Sequence, residues 1–118
     1  MPKRHLVLIL SEPTEGREDE YNDYYENLHL REVLETTELL SAQRFRLVDE
    51  KGAPCPLPYL ALYEAEADDP GEVIRNIDET RRQRQQSETL NKRTAGVWVF
   101  QEIGPKHFRP ERPPRGAG

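Results

Sequence analysis

Cysteine occurs once among the 118 residues, as Cys55. A single thiol excludes an intrachain disulfide framework and a cysteine-based zinc site within one chain. It also makes a reducing cytoplasm the expected compartment. Histidine is scarce, and His5, His29 and His107 stand far apart. Without a His-x-His or His-x-x-x-His pair, no metal is expected, and no haem ligand is expected either. No apolar run approaches the roughly 18 residues that a membrane span needs. The opening MPKRHLVLILSEP lacks a small-residue cleavage site and reads as a first strand rather than a signal peptide. A glycine-rich phosphate loop and a dinucleotide fingerprint are absent, and neither Ser11 nor Ser41 lies in a Gly-x-Ser-x-Gly setting. Neither nucleotide cofactors nor serine-hydrolase chemistry is therefore expected, so the expected cofactor is none.

What is present is polar. Hydrophobic residues make up 35% and charged residues 33%, against roughly 45–50% apolar in an ordinary globular domain. The apolar residues are clustered, so a folded domain is expected, and the length suits one. The net charge of −5 is uneven: residues 1–50 carry 6 basic and 12 acidic side chains, residues 81–118 carry 9 and 3. The overall acidic balance repels phosphates at long range, so nucleic acid is not an expected partner. Arg81, Arg82 and Arg84 read as the solvated face of a helix.

Residues 5–11, HLVLILS, form an apolar run of strand length, closed by Pro13 and Gly16. Residues 17–36 contain no glycine or proline and place Tyr21, Tyr25 and Leu28 at steps of 4 and 3. That spacing predicts an amphipathic helix, and its acidic start suits the helix dipole. Residues 40–49 alternate and predict a strand with Phe45 on one side and Arg44 and Arg46 on the other. After the turn EKGAPCPLP comes a third strand, YLALYEAEA. Asp68-Asp69-Pro70 is a helix-start signal, and a second helix is predicted from about Gly71 to about Leu90. AGVWVFQEI, residues 95–103, predicts the fourth strand. A Pro/Arg-rich tail, 106–118, is expected to be mobile after a domain spanning 1–105.

The order β-α-β-β-α-β matches the ferredoxin-like α+β layout, a four-stranded antiparallel sheet with two helices on one face. Leu6, Leu8 and Leu10 fall on one side of the first strand, Val7 and Ile9 on the other. Both sheet faces are thus apolar, and the face without helices is expected to meet another copy of the chain by two-fold symmetry. Trp98 and Phe100 share one face of the last strand and Val97 and Val99 the other, and the pattern does not say which face looks at the helices.

The stretch EYNDYYENLHLREVL, residues 20–34, with SAQRFRL, PYLALYEAEADDP and VFQEIGP further on, resembles the EthD-type branch of the dimeric α+β barrel superfamily. The specific part is short: Tyr21, the pair Tyr24-Tyr25, and His29. Tyr24 stands where that family often has tryptophan, and Arg31 where it often has proline. The resemblance implies two sheets packed back to back in a homodimer, with a pocket in each subunit between its sheet and its helices. Relatives of this kind include cyclases, cofactor-free monooxygenases, isomerases, dehydratases and haem enzymes, so the fold does not choose the reaction.

Asn22, Tyr25 and His29, spaced 3 and 4, form one stripe of an ideal helix. A histidine there can exchange a proton near neutral pH, Tyr25 can polarise a carbonyl, and Asn22 can orient either group. The alternative is a helix histidine held for structure alone. The resemblance favours a catalytic set of His29, Tyr25 and Asn22. Tyr21, Tyr24, Arg44, Phe45, Tyr63 and Trp98 are the candidates for binding an aromatic substrate, with packing as the rival role of the aromatics. An inward Arg44 would bind a carboxylate or phenolate. The expectation is a cofactor-independent lyase or isomerase (dehydration, aldol, retro-aldol or cyclisation) acting on a small aromatic or polyketide-like metabolite. A cofactor-free monooxygenase and a non-catalytic small-molecule-binding dimer are the rival readings.

Overall fold

The computed structural model describes residues 1–112 and 114. Its elements are β1 (Lys3–Ser11), α1 (Glu18–Tyr24), a π-helical turn (Tyr25–His29), α2 (Leu30–Thr36), β2 (Ser41–Arg46), β3 (Tyr59–Ala67), α3 (Pro70–Glu79), a 3₁₀ turn (Arg81–Gln83) and β4 (Gly96–Gln101). The four strands form one antiparallel sheet in the order β2-β3-β1-β4, the ferredoxin-like α+β arrangement. Among the described residues, no helix is long and apolar enough to cross a membrane. Residues 106–112 and 114 are exposed and carry no helix or strand; residues 113 and 115–118 of the tail expected to be mobile lie outside the described residues.

The period-two alternation of the strands decides which residues meet the helices. Val7 pairs with Tyr63 and Val99, and Ile9 with Ala61 and Val97, all on the covered face. On β3 that face reads Tyr59, Ala61, Tyr63, Ala65 and Ala67, all buried. The alanines leave room above the sheet, and the rings of Tyr21 and Tyr25 from the first helical rod occupy the core beside them. The opposite face is lined by Leu6, Leu8, Leu10, Leu60 and Leu62, with Phe45, Trp98 and Phe100 standing 42–56% exposed. The outward aromatics of β4 are thus Trp98 and Phe100, the point its sequence left open.

Two predicted elements differ from what is found. The second helix does not run to Leu90; α3 stops at Glu79. Asp69 begins it as expected, its carboxylate accepting from the Gly71 N–H at 2.9 Å with Pro70 in the first turn. Between Ile77 and Leu90 there is no apolar residue, so a longer helix would have nothing to bury. The Thr80 hydroxyl instead donates to the Asn76 carbonyl at 2.8 Å, and Arg84 Nη2 donates to the Ile77 carbonyl at 2.9 Å. These bonds satisfy two of the last-turn acceptors. The chain then runs irregularly back towards β1, where the Thr14 N–H meets the Thr89 carbonyl and the Asn91 N–H the Glu12 carbonyl at 3.0 Å.

The first helix also departs from the regular form expected. It stays right-handed throughout, but the Leu30 N–H donates to the Tyr25 carbonyl five residues back. Such single π turns insert one residue into an α-helix and change which side chains share a face.

Candidate functional site

The π turn builds the site. In an α-helix, residues five apart point about 140° away from each other. In this turn Tyr24 and His29 stack at 5.1 Å between ring centres, and the Tyr24 hydroxyl lies 3.0 Å from His29 Nδ1. The same hydroxyl is 2.9 Å from the Gln85 carbonyl, on the irregular segment after α3. A phenol has one proton, and a carbonyl can only accept. Tyr24 therefore donates to Gln85 and accepts from His29 Nδ1–H. That assignment leaves Nε2 of His29 as the ring nitrogen with a free lone pair.

His29, Tyr24 and Tyr25 line a recess of about 250 Å³ between the helices and the β4 side of the sheet. Ile9, Leu90 and Val97 give it apolar walls, and Arg81, Arg84 and Lys92 set three cations against the single carboxylate of Asp78. Burial, with a smaller contribution from the Arg84 charge, pushes the His29 pKa down to about 4. His29 is thus neutral at pH 7. Burial pushes the Tyr24 phenol up to about 12 and raises Tyr25 and Tyr63 further, so all three are protonated hydrogen-bonding groups there.

The predicted site residues fall into three places. Tyr24 and Tyr25 stay with His29; the Tyr25 ring packs edge-on to the imidazole at 4.9 Å and is 2% exposed. Asn22 does not stay with them, because the inserted residue breaks the spacing of 3 and 4. It accepts from Arg44 Nη2 at 2.9 Å and faces Tyr59, at the β2 side of the molecule. Arg44 does point inward, but its guanidinium lies over Tyr21, Tyr25 and Tyr59 at 4.7–5.3 Å from the ring centres. It closes the aromatic core there instead of facing the His29 recess. Tyr21 is wholly buried, its hydroxyl paired with Ser11. Tyr63 is wholly buried as well, and its hydroxyl has no hydrogen-bond partner among the described residues. Phe45 and Trp98 are on the open sheet face, separated from His29 by the sheet itself. Their strand parity, not their aromatic character, decides this.

Two residues at the site were not singled out from sequence. Gln85 fixes the Tyr24 hydroxyl, and Gln85 N–H is itself held by a Glu32 carboxylate oxygen at 3.1 Å. Arg84, expected on a solvated face, is only 7% exposed. The gap in apolar residues after Ile77 was the available signal that the helix ends early and that these residues turn inward. His5, by contrast, is sealed by the Lys3 carbonyl at 2.8 Å and by Gln101 at 3.0 Å, which occupies both ring nitrogens. Among the described residues, no group of three or more His, Cys, Asp or Glu side chains is placed to hold a metal ion. A larger groove of about 340 Å³ runs between β3 and α3, but glutamates with Arg75 and Asn76 supply its polar lining, and no histidine or tyrosine reaches it.

Comparison with protein-family models, with curated proteins and with solved structures finds no match to this chain.

Proposed function

We propose that this chain is a cofactor-independent lyase or isomerase acting on a small aromatic or polyketide-like metabolite, with His29 as its general acid/base. The observation that carries the reading is the chain Gln85 carbonyl, Tyr24 hydroxyl, His29 Nδ1 at 2.9 and 3.0 Å. It holds the imidazole in one tautomer with Nε2 available in a partly apolar recess, the arrangement a histidine base requires. In this reading Nε2 takes a proton from carbon next to a substrate carbonyl or from a hydroxyl. Nδ1–H stays on Tyr24 while the positive charge develops, and the returned proton completes a dehydration, isomerisation or aldol-type step. A recess of about 250 Å³ lies just below the range typical of drug-sized ligands and suits a molecule of one ring.

The EthD-like resemblance of residues 20–34 belongs to the same reading, and so does a homodimer formed through the open face of the sheet, in a reducing cytoplasm. Leu8 sits at the centre of that face, between Leu62 and Trp98, and an apolar sheet face of this extent is what a symmetric partner covers.

The test is a turnover screen of wild type against His29→Ala on aromatic and polyketide-like hydroxy-ketones, lactones and lignin-type alcohols, without added cofactor and with dissolved oxygen followed. A fall of about 10² or more in the variant at constant oxygen is expected. Undiminished turnover in His29→Ala would remove His29 from the chemistry, and oxygen uptake matching product would make the reaction a monooxygenation.

A further inference from the structure

We propose that the His29 recess takes a small organic acid, whose carboxylate pairs with the buried guanidinium of Arg84. This deepens the function proposed above by naming a substrate class, and it rests on that reading for the recess being the reaction site.

Arg84 is 93% buried, being 7% exposed, yet among the described residues it forms no ion pair with a carboxylate. Its protein partners are neutral. Nη1 donates to Thr36 Oγ1 at 3.0 Å and to Thr80 Oγ1 at 2.8 Å, and Nη2 donates to the Ile77 carbonyl at 2.9 Å. A guanidinium carries five N–H groups in a planar fork. Three are thereby used, which leaves Nε–H and one Nη2–H without a partner among the described residues, and a carboxylate oxygen is the strongest acceptor for either. A buried charge without a counter-ion is costly, far more than the capping of one carbonyl requires. An incoming anion removes that cost.

The surroundings agree. Arg81 and Lys92 stand on the same walls, opposed within the lining by Asp78 alone. Glu32 is the acid whose charge is felt at Arg84, and its carboxylate is engaged by the Gln85 N–H. Arg84 and His29 share the recess, so a carboxylate on the guanidinium holds the rest of a one-ring acid near Nε2.

Benzoate and its neutral analogue benzamide are the probes, titrated into the full-length protein at pH 7 and followed by amide and arginine Nε–H NMR shifts. Saturable benzoate binding at recess residues is expected, tighter than benzamide by about tenfold or more, the worth of a charge-assisted hydrogen-bond pair. Arg84→Gln is expected to lose about tenfold or more of the benzoate affinity, and Arg81→Gln less than about threefold. Benzoate binding is read without turnover, and the acid/base reading is tested by the turnover of His29→Ala, so failure of that reading and failure of this one are told apart. Equal binding of benzamide and benzoate, or no saturable benzoate binding by the folded wild type, overturns the proposal. So does a folded Arg84→Gln protein that binds benzoate as wild type does. If Arg84→Gln does not fold, the benzoate-to-benzamide ratio of the wild type decides.

Discussion

Lowering the pH from 7 to 5 is expected to destabilise the fold by about 2 kcal/mol through His29 alone. Burial, aided by the Arg84 charge, moves the His29 pKa from its ordinary 6.5 to about 4. The unfolded chain takes up a proton near 6.5, and the native protein only near 4. Between those values the unfolded state binds more protons, so stability rises with pH across this window and is independent of His29 above it. The loss grows to about 3 kcal/mol at pH 4. At roughly 3–6 °C per kcal/mol for a domain of this size, the pH 5 effect is roughly 6–12 °C in Tm. The assay is denaturant unfolding of wild type and His29→Gln at pH 7 and pH 5. Glutamine retains a hydrogen-bonding group for Tyr24 but does not titrate, and the common contributions of the carboxylates cancel in the comparison. Wild type is expected to lose about 2 kcal/mol more than the variant. Equal losses, or an NMR titration of the His29 imidazole centred near its ordinary value, would refute the reasoning and with it the neutral, desolvated base.

Tyr24→Phe removes the hydroxyl that accepts from His29 Nδ1 and donates to Gln85; it should cost about 1 kcal/mol and turn the imidazole ¹⁵N shifts from one tautomer to a mixture. Asp69→Ala deletes the N-cap of α3 and should lower stability by about 1 kcal/mol in urea unfolding. Trp98→Asp sets a charge on the open sheet face, and light scattering at micromolar concentration should show a dimer for wild type and a monomer for the variant. A wild-type monomer under the same conditions would leave that face without its proposed partner.

The fold was legible because its signals are periodic. HLVLILS and YLALYEAEA have strand length and strand alternation, and Asp69-Pro70 marks a helix start by cap chemistry that acts within a few residues. The homodimer expectation came from the same alternation, which left Leu6, Leu8 and Leu10 together on one side. The candidate site was legible only in part. His29, Tyr24 and Tyr25 lie together, but Asn22 was read as the residue that orients His29, and the side chain bonded to the imidazole is Tyr24, five residues away. Spacing rules assume 3.6 residues per turn, and no local feature of YENLH announces an inserted residue. Phe45 and Trp98 were counted with the pocket on aromatic character, although side-chain parity sends them through the sheet.

The sequence by itself determined the α+β class and the strand faces, because hydrophobic periodicity and capping act over a few residues. Only the tertiary structure decided that Arg84 and Gln85 turn inward to meet the first helical rod. Their bonds to Thr36, Ile77 and Tyr24 join segments 7 to 61 residues apart. A polar side chain looks the same in sequence whether its partner across the fold is water, a carbonyl or a bound ligand.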